Sequence, residues 1–498
     1  MRSTCCFRFG TDSGGQYLLD SATGAVIPTN AILDEAIELC ACKSILEVER
    51  ELKEHHPADQ VDGILDFVQR WASQFGGLYQ HSAPKPAVDD FDEEDVKQLL
   101  MAGNTFQLVL NLTEACNYRC AYCYFSEVYQ YTRNPTSAAL TLETGIKALD
   151  LFFDMLADIA QQIPGKRAGI ASYGGEPLLQ FEMMKALIDY ALDHAPVPIS
   201  FNLTTNGYLL TDDIGDYLVD RQVNIAVSLD GSKENHDRNR LLPTGKGTHD
   251  VVMRNIKRFQ ERHPDYWRIG IVTVYDTGTD LEANVRFFEE HKLRIIFLTS
   301  ISQHNTNYYD RFTEADRQRF AWQRDKLLRQ YLELKKAGKP VPEFTKAFFE
   351  FQLSTVVLRS KGEDARNPMI PFTSTCIPGS KLSVRVDGTL DICERVSGTM
   401  PIGHVDTGID YARAVKIIRQ YNAQVTRDCQ ACPLNRTCPL CFAQCDNNKD
   451  FALPKAWCEK HHDSFGNACA ITYSVLEQQP LAFKELELRH PLDILFYA

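Results

Sequence analysis

The chain has 498 residues, of which 44% are apolar and 24% are charged. This composition excludes a disordered, collagenous or low-complexity protein. The 53 Lys and Arg against 66 Asp and Glu leave a net charge of −13, so nucleic acid and anionic membrane surfaces are not expected partners.

The cysteines are the most informative feature of the composition. Neither a signal-peptide core nor an uncharged apolar run of about 18 residues is visible, so we expect a cytoplasmic protein. The chain contains 16 cysteines, 11 of which fall in two groups at 116–123 and 376–458. A reducing cytosol keeps thiols free, so metal binding is their expected use rather than disulfide formation.

The first 95 residues predict a small α+β module. A stretch rich in Pro and acidic residues at 81–94 is typical of a linker. The predicted strands are 5–9, 17–19 and 25–27, and the predicted helices are 31–40, 44–55 and 61–75.

Beyond this stretch, short apolar runs alternate with helical patterns. Six such strands separated by helices predict a parallel sheet, either an incomplete barrel or a doubly wound fold. In both folds the chemistry belongs at the carboxyl ends of the strands. The predicted strands are 107–113, 169–173, 199–205, 224–229, 268–275 and 293–300; the helices are 142–159, 181–193, 212–221, 249–262 and 281–291, with a long charged helix at 313–338.

Cys116, Cys120 and Cys123 follow the first of these strands with the spacing C-x3-C-x2-C. Three thiolates on one loop can hold three irons of a 4Fe–4S cubane, which ordinarily has four cysteine ligands. The open iron can chelate S-adenosylmethionine (SAM), whose reductive cleavage yields a 5′-deoxyadenosyl radical. A zinc site and three buried cysteines are the alternatives.

Polar and glycine motifs end the following strands. Gly174 and Gly175 permit close backbone approach, and Glu176 can accept a hydrogen bond from the methionine ammonium of SAM. Asn206 ends the third strand and Ser228 the fourth. Each motif alone is an ordinary turn signal, and their shared place at strand ends makes them informative.

With these motifs, residues 105–300 resemble the core of radical SAM enzymes. The resemblance implies an α/β fold with an incomplete (β/α)6 barrel. In relatives such as the anaerobic sulfatase maturases, residues matching Ser228 and Arg240 contact the ribose and the methionine carboxylate side of SAM. The aromatic residue matching Tyr122 lies near the adenine. A solvated loop cation is the alternative for Arg240, and a packing aromatic for Tyr122.

The second cysteine group could hold either zinc or iron. Cys429, Cys432, Cys438 and Cys441 could form a zinc ribbon, whereas the eight cysteines of the whole group suffice for two clusters. The eight are Cys376, Cys393, Cys429, Cys432, Cys438, Cys441, Cys445 and Cys458.

The whole array resembles the SPASM extension of radical enzymes that act on peptides. This resemblance implies two auxiliary 4Fe–4S clusters, three clusters in all. Cys376 and Cys393 belong to one auxiliary cluster, and the other uses Cys429, Cys432, Cys438 and Cys458. We favour Cys441 as the further ligand of the first. Cys445 is its alternative, or a buried thiol, and the remaining cysteines are read as structural.

The N-terminal stretch from Tyr17 to Val26 resembles the opening of maturases of ribosomally made peptides, whose winged-helix-like domain grips a leader peptide by strand addition. A packing module without a partner is the alternative. Five domains are therefore expected: a leader-binding module with linker (1–95), a radical SAM barrel (96–310), a helical bridge (311–370), a SPASM-like cluster domain (371–470) and a tail (471–498).

These resemblances predict a maturase that modifies a ribosomally made precursor peptide, joining a cysteine sulfur to carbon as a thioether. A flavodoxin or ferredoxin is the implied electron donor. Formylglycine formation in sulfatases and carbon–carbon cross-linking are the enzymatic alternatives. A zinc-stabilised peptide-binding protein is the non-enzymatic one. No carboxylate can be singled out as a general base.

Overall fold

The N-terminal module is a three-stranded antiparallel sheet in the order β1-β2-β3, followed by three helices. The computed structural model describes residues 6–79, 90–129, 135–359, 361, 367, 369–396, 400–448 and 450–487. The module elements are β1 Cys6–Gly10, β2 Gln16–Asp20, β3 Val26–Pro28, α1 Ala31–Cys40, α2 Ile45–Lys53 and α3 Ala58–Phe75. They confirm the predicted α+β module.

Alternation along β2 explains how this module both folds and docks. Successive strand residues point to opposite faces of a sheet. Leu18 accordingly lies in the module's own core, whereas Leu19 and Phe9 belong to the main core of the protein. One face of the small sheet is therefore covered by the module's helices and the other by the rest of the chain.

A helix begins inside the predicted linker. Residues 81–89 lie outside the described residues. Helix α4, Glu93–Leu99, begins within the predicted stretch, with Asp92 as its N-cap accepting from the Glu94 and Asp95 N–H groups. The acidic residues that suggested a linker favour a helix N-terminus equally well.

The six predicted barrel strands all form, and each pairs in parallel with the next. The first of them, β4, is buried along its whole length, as expected for a strand covered on both faces. Short β5 and β9 pair with each other outside this sheet. The strands are β4 Gln107–Thr113, β5 Arg119–Cys120, β6 Ala168–Gly174, β7 Ile199–Thr205, β8 Asn224–Ser228, β9 Arg240–Leu241, β10 Ile269–Tyr275 and β11 Ile295–Ser300.

Helices connect these strands and continue into the C-terminal region. The long charged helix expected at 313–338 is α11. Within the described ranges, no helix is both long and apolar enough to cross a lipid bilayer. The barrel helices are α5 Leu142–Gln162, α6 Phe181–His194, α7 Asp212–Asp220, α8 Lys233–Asp237, α9 His249–Arg262 and α10 Leu281–His291, followed by α11 Glu314–Lys336 and α12 Glu343–Val357.

The C-terminal region extends the barrel sheet, a continuity that the sequence did not predict. Strand β12 pairs in parallel with β4, and Lys381 of β12 stands opposite Gln107 of β4. The sheet therefore has ten strands. This pairing joins the cysteine-rich region directly to the first barrel strand. The remaining elements are β12 Lys381–Val384, β13 Thr389–Asp391, β14 Pro401–His404, β15 Gly408–Ile409, α13 Tyr411–Tyr421, α14 Arg427–Cys429, α15 Phe442–Cys445, α16 Lys455–Leu476 and α17 Lys484–Glu487.

Candidate active site

The loop that carries Cys116, Cys120 and Cys123 starts at the carboxyl end of β4. It is held by backbone pairing rather than left free. Cys120 in β5 stands opposite Arg240 in β9, and the Ala121 N–H donates to the Asn239 carbonyl at 2.9 Å. The structure therefore brings Arg240, predicted from sequence as a SAM-binding residue, directly beside the cysteine loop.

The three thiols of this loop are half-buried and lie within electrostatic reach of one another. Burial raises the pKa of Cys116 to about 11 and that of Cys120 to about 12, while the nearby Arg240 guanidinium acts in the opposite direction. Metal binding requires deprotonated thiols and lowers their pKa values. The donor set and its cationic neighbour fit an anionic iron–sulfur cluster.

Gly174 and Gly175 lie against the backbone just before Cys116. A Cβ atom on Gly174 would stand 2.3 Å from the Thr113 carbonyl oxygen, and one on Gly175 would stand 2.1 Å from that of Ala115. Gly174 also has φ +125°, a conformation that favours glycine. A small open pocket lies here, lined by Asn111, Thr113, Glu114, Phe125, Pro135, Gly174 and Gly175.

Glu176 is buried and joins the ends of β6 and β7. Its carboxylate accepts from the Thr205 hydroxyl at 2.7 Å, the Asn206 N–H at 2.7 Å and the Leu178 N–H at 3.1 Å. Burial raises the pKa of Glu176, and these hydrogen bonds counteract the rise. The carboxylate is thus already held by the protein, and its role toward the ammonium of SAM stays a prediction.

Asn206 links this network to the cysteine loop. Its Nδ2 donates to the side-chain oxygen Oδ1 of Asn117 at 2.7 Å and lies 4.0 Å from the Cys116 sulfur. Asn117 lies inside the cysteine motif, but sequence reasoning assigned it no role. Its place between Cys116 and Cys120 was the available signal.

Tyr122, Asp230 and Arg240 form a buried chain of hydrogen bonds. The Tyr122 hydroxyl donates to the Asp230 carboxylate at 2.6 Å and accepts from Arg240 Nη1 at 2.6 Å. Burial opposes the charged form of Arg240, but Tyr122, Cys120 and Asp230 raise its pKa well above the ordinary value. The guanidinium therefore stays charged beside the loop.

The Nε–H group of Arg240 is a further hydrogen-bond donor in the site. This Nε is buried and finds no hydrogen-bond partner among the described residues. A buried donor without a partner is costly unless a ligand satisfies it. An anionic group bound beside the loop, such as a carboxylate, would meet that need.

Asp230 is not among the site residues predicted from the sequence. Ser228, which is among them, is the last residue of β8, opposite Val272 of β10. Asp230 lies two residues further on, and its contact with Tyr122 spans 108 residues of sequence. That distance explains why the sequence did not reveal the pair.

A second missed network supports the ring of Tyr122. Tyr308 packs edge-on against Tyr122 with ring centroids 6.5 Å apart. The Tyr308 hydroxyl donates to Asp276 at 2.5 Å, and Arg238 makes a bidentate contact with the same carboxylate at 2.7 and 2.8 Å. This network fixes the wall of the site through β10 and the segment after β11.

Four C-terminal cysteines lie close together. Burial raises the pKa of Cys429 to about 12, and the neighbouring Cys438, Cys432 and Cys458 add to the rise. The Cys432 sulfur also lies 3.2 Å from His462 Nε2. The four are the set that the SPASM resemblance implied for the second auxiliary cluster.

Cys376, Cys393 and Cys441 form another group nearer the barrel. Burial opposes the charged form of Arg395, but the neighbouring Cys393 and Cys441 raise its pKa. Burial raises the pKa of Cys376, and Cys441 adds to that rise. Lys381 and Glu394 form an ion pair at 2.7 Å beside Cys393. This is the set that the sequence favoured for the first auxiliary cluster.

Cys445 differs from Cys441 in its surroundings. Cys445 is only 1% exposed, belongs to the main apolar core and bonds to the Tyr421 hydroxyl. Cys441 is half-buried at the N-cap of α15, and its sulfur lies 2.7 Å from Gln444 Oε1. The environment of Cys445 resembles that of a packing thiol.

All the described cysteines are free thiols. Over the described part of the chain, no three His, Cys, Asp or Glu side chains converge closely enough to hold one metal ion. A cubane distributes its thiolates over different irons. The individual ligand roles of the cysteines stay predictions.

Residues 110–288 match the family model described as Radical SAM superfamily. The chain is 25% identical over 209 residues to the radical SAM cyclopropyl synthase TigE of Paramaledivibacter caminithermalis, covering 37% of this chain and 43% of that protein. It is 24% identical over 194 residues to the cysteine-type anaerobic sulfatase-maturating enzyme of Clostridium novyi, covering 38% of this chain and 49% of that enzyme. The matches thus span less than half the length of either relative.

Two solved structures share the fold over a larger part of the chain. The structure titled native anSMEcpe with bound AdoMet has a TM-score of 0.53 at 20% identity, covering 76% of this chain and 99% of that one. The same protein with bound AdoMet and Cp18Cys peptide gives 0.51 at 19% identity, covering 77% and 99%. At this identity the likeness shows the fold, and the incomplete barrel predicted from sequence is confirmed.

Proposed function

We propose, from the premise that residues 110–288 form a radical SAM enzyme domain, that this protein is a maturase of a ribosomally made peptide. In this proposal it abstracts a hydrogen atom from a precursor peptide and joins that carbon to a cysteine sulfur as a thioether. The family implies SAM and one 4Fe–4S cluster as cofactors. An electron donor such as flavodoxin or ferredoxin is the proposed redox partner.

The residues around the cysteine loop support the radical step. A cluster and SAM bound there would supply a 5′-deoxyadenosyl radical. Cys116, Cys120 and Cys123 would ligate the cluster, and the charged Arg240, oriented by Tyr122, would face the carboxylate of SAM. Gly174 and Gly175 lie so close to the loop backbone that they leave no room for a side chain on that side.

The two C-terminal cysteine groups support the proposal that the radical step is followed by formation of a new bond. Thioether formation removes one hydrogen atom from carbon and one proton from the thiol, so one electron must leave the product. Two auxiliary clusters, held by Cys376, Cys393 and Cys441 and by the group around Cys429, would accept it. The grouping of these thiols is the observation that supports the proposal.

The N-terminal module supports a peptide substrate. Among the described strands, β3 pairs only with β2 and so forms an edge of the small sheet, whereas β1 packs on α16 through Phe7 and Phe465. The Ala25 carbonyl accepts from β2 and the Thr29 N–H donates to it, so by alternation Val26 directs its N–H and C=O outward. A leader peptide could pair there.

The experiment that tests the function uses a short cysteine-bearing peptide encoded beside this chain. After incubation with SAM and reductant, we expect a product two hydrogen atoms lighter that resists thiol alkylation and is unchanged by a disulfide reductant. An unmodified peptide would contradict the proposal.

A second candidate is formylglycine formation, which the similarity to sulfatase-maturating enzymes favours. The same cysteine groups would serve it. The product would then be oxidised but acyclic, and would react with a carbonyl reagent. A product two hydrogen atoms lighter whose cysteine still reacts with a thiol alkylating reagent would indicate carbon–carbon cross-linking instead.

A further inference from the structure

The turn between β2 and β3, Ser21–Ala25, is a rigid feature of the N-terminal module. It is organised by Asp20, whose fully buried carboxylate accepts from the Thr23 hydroxyl at 2.6 Å and the Trp71 indole N–H at 2.9 Å. The Leu78 N–H donates to the same carboxylate at 3.1 Å. These bonds anchor the turn to α3 and to the segment after it.

The tip of this turn contacts the loop that joins Cys432 to Cys438. The Ser21 hydroxyl donates to the Pro433 carbonyl at 2.6 Å. In the opposite direction, Arg436 Nη1 donates to the Ala22 carbonyl at 2.5 Å. Two bonds thus join the turn to a loop more than 400 residues away in sequence.

The module also reaches this cysteine group from a second side. Phe7 of β1 packs edge-on against His462 with ring centroids 6.1 Å apart. His462 Nε2 lies 3.2 Å from the Cys432 sulfur. The cysteine loop is therefore held between the turn on one side and, through His462, strand β1 on the other.

We propose that the Ser21–Ala25 turn is a clamp that positions the loop carrying Cys432 and Cys438. The inference rests on the proposed function, because it takes these cysteines as ligands of an auxiliary cluster. The loop has little regular structure of its own, and such segments open locally at low cost in free energy. The module thus serves the cluster as well as a peptide, which explains why it docks here.

The test measures how fast iron leaves the full-length, anaerobically reconstituted protein when a ferrous chelator such as ferrozine is added. Ser21→Ala removes one clamp bond from a residue remote from the cysteines. Each bond lost should speed release of about one third of the iron about fivefold, since a hydrogen bond contributes about 1 kcal/mol net. Ser21→Ala with Arg436→Ala should therefore release that fraction faster still.

Thr11→Ala is the matched control. The Thr11 hydroxyl joins the same module to Glu477, at the far end of α16 from Cys458, at 2.9 Å. This variant should release iron at the wild-type rate. Thermal unfolding of all variants establishes that each is folded.

The outcomes separate the clamp from the function. Wild-type release rates in the double variant, with about twelve irons bound, would overturn the clamp alone. A wild-type protein that holds only about four irons would overturn the auxiliary clusters and the clamp with them. Acceleration in Thr11→Ala equal to that in Ser21→Ala would show general loosening of the module and would also overturn the clamp.

Discussion

Gly175 lies so close to Ala115 that a Cβ atom on the glycine would stand 2.1 Å from the alanine carbonyl oxygen. The two residues connect the end of β6 to the backbone that leads into Cys116. The glycine motif thus shapes the cysteine loop, whatever it contributes to SAM binding.

Gly175→Ala should consequently disturb the first cysteine group. Backbone atoms cannot move aside as a flexible side chain can, so the loop must shift. We expect loss of about four irons, the content of one cubane, and loss of 5′-deoxyadenosine production. Gly63→Ala is the control, because nothing lies within 4 Å of its added Cβ. Full iron content in Gly175→Ala would contradict the prediction.

Cys441→Ala should lose auxiliary iron, whereas Cys445→Ala should keep it. Cys441 lies with Cys376 and Cys393, while Cys445 packs in the core. Loss of a thiolate ligand exposes an iron and weakens the fold coupled to it. Iron analysis and electron paramagnetic resonance of both variants decide the matter, and the reverse pattern would transfer the ligand role to Cys445.

Asp276→Asn should lower the free energy of unfolding by about 2–3 kcal/mol, because it leaves the Arg238 guanidinium without its charged partner. This is less than the loss of about 3–5 kcal/mol for a fully buried pair, since the Arg238 side chain is 30% exposed. Burial alone would raise the pKa of Asp276, but Arg238 and Tyr308 hold it below the ordinary value. The stability from this carboxylate is therefore complete above about pH 4 and lost as the pH falls through the folded-state pKa.

Urea unfolding of wild type and variant at several pH values measures this difference, which should narrow in acid. Asp216→Asn, in the exposed pair with Arg262, should have little effect. Equal stabilities of wild type and Asp276→Asn at pH 7 would contradict the prediction.

Val26→Pro should weaken binding of a precursor peptide by about fivefold or more, because it removes an outward N–H that strand addition would use. The β2 bonds of Ala25 and Thr29 remain, so the module keeps its fold. Fluorescence anisotropy of a labelled precursor gives the dissociation constant. Unchanged binding would count against leader recognition at this edge, while uncoupled SAM cleavage should persist in either case.

The barrel could be predicted closely because its signals are local. The strands at Gln107–Thr113 and Ile199–Thr205 have the predicted bounds, since each is a short apolar run closed by a turn signal. The pairing of β12 with β4 could not be predicted, because Lys381 and Gln107 are distant in sequence and a four-residue strand specifies no partner.

In the site, too, the features with local sequence signals were predicted, and the contacts between residues distant in sequence were not. The cysteine spacing predicted a shared loop, which the structure has. The chain from Tyr122 to Asp230 and Arg240 depends on strand ends meeting in space. The turn around Asp20 lies in the stretch that resembles the opening of peptide maturases. Its contact with Pro433 could not be predicted, because the two segments are distant in sequence.

Iron content together with cofactor cleavage tests whether the chain holds a radical SAM site and two auxiliary clusters. Anaerobically reconstituted protein should hold about twelve irons with matching sulfide and convert SAM to 5′-deoxyadenosine under reduction. The triple variant with Cys116, Cys120 and Cys123 replaced by Ala should hold about eight and make none. Zinc in place of iron in the wild type, or 5′-deoxyadenosine from the triple variant, would show that the cysteine groups do not hold these clusters.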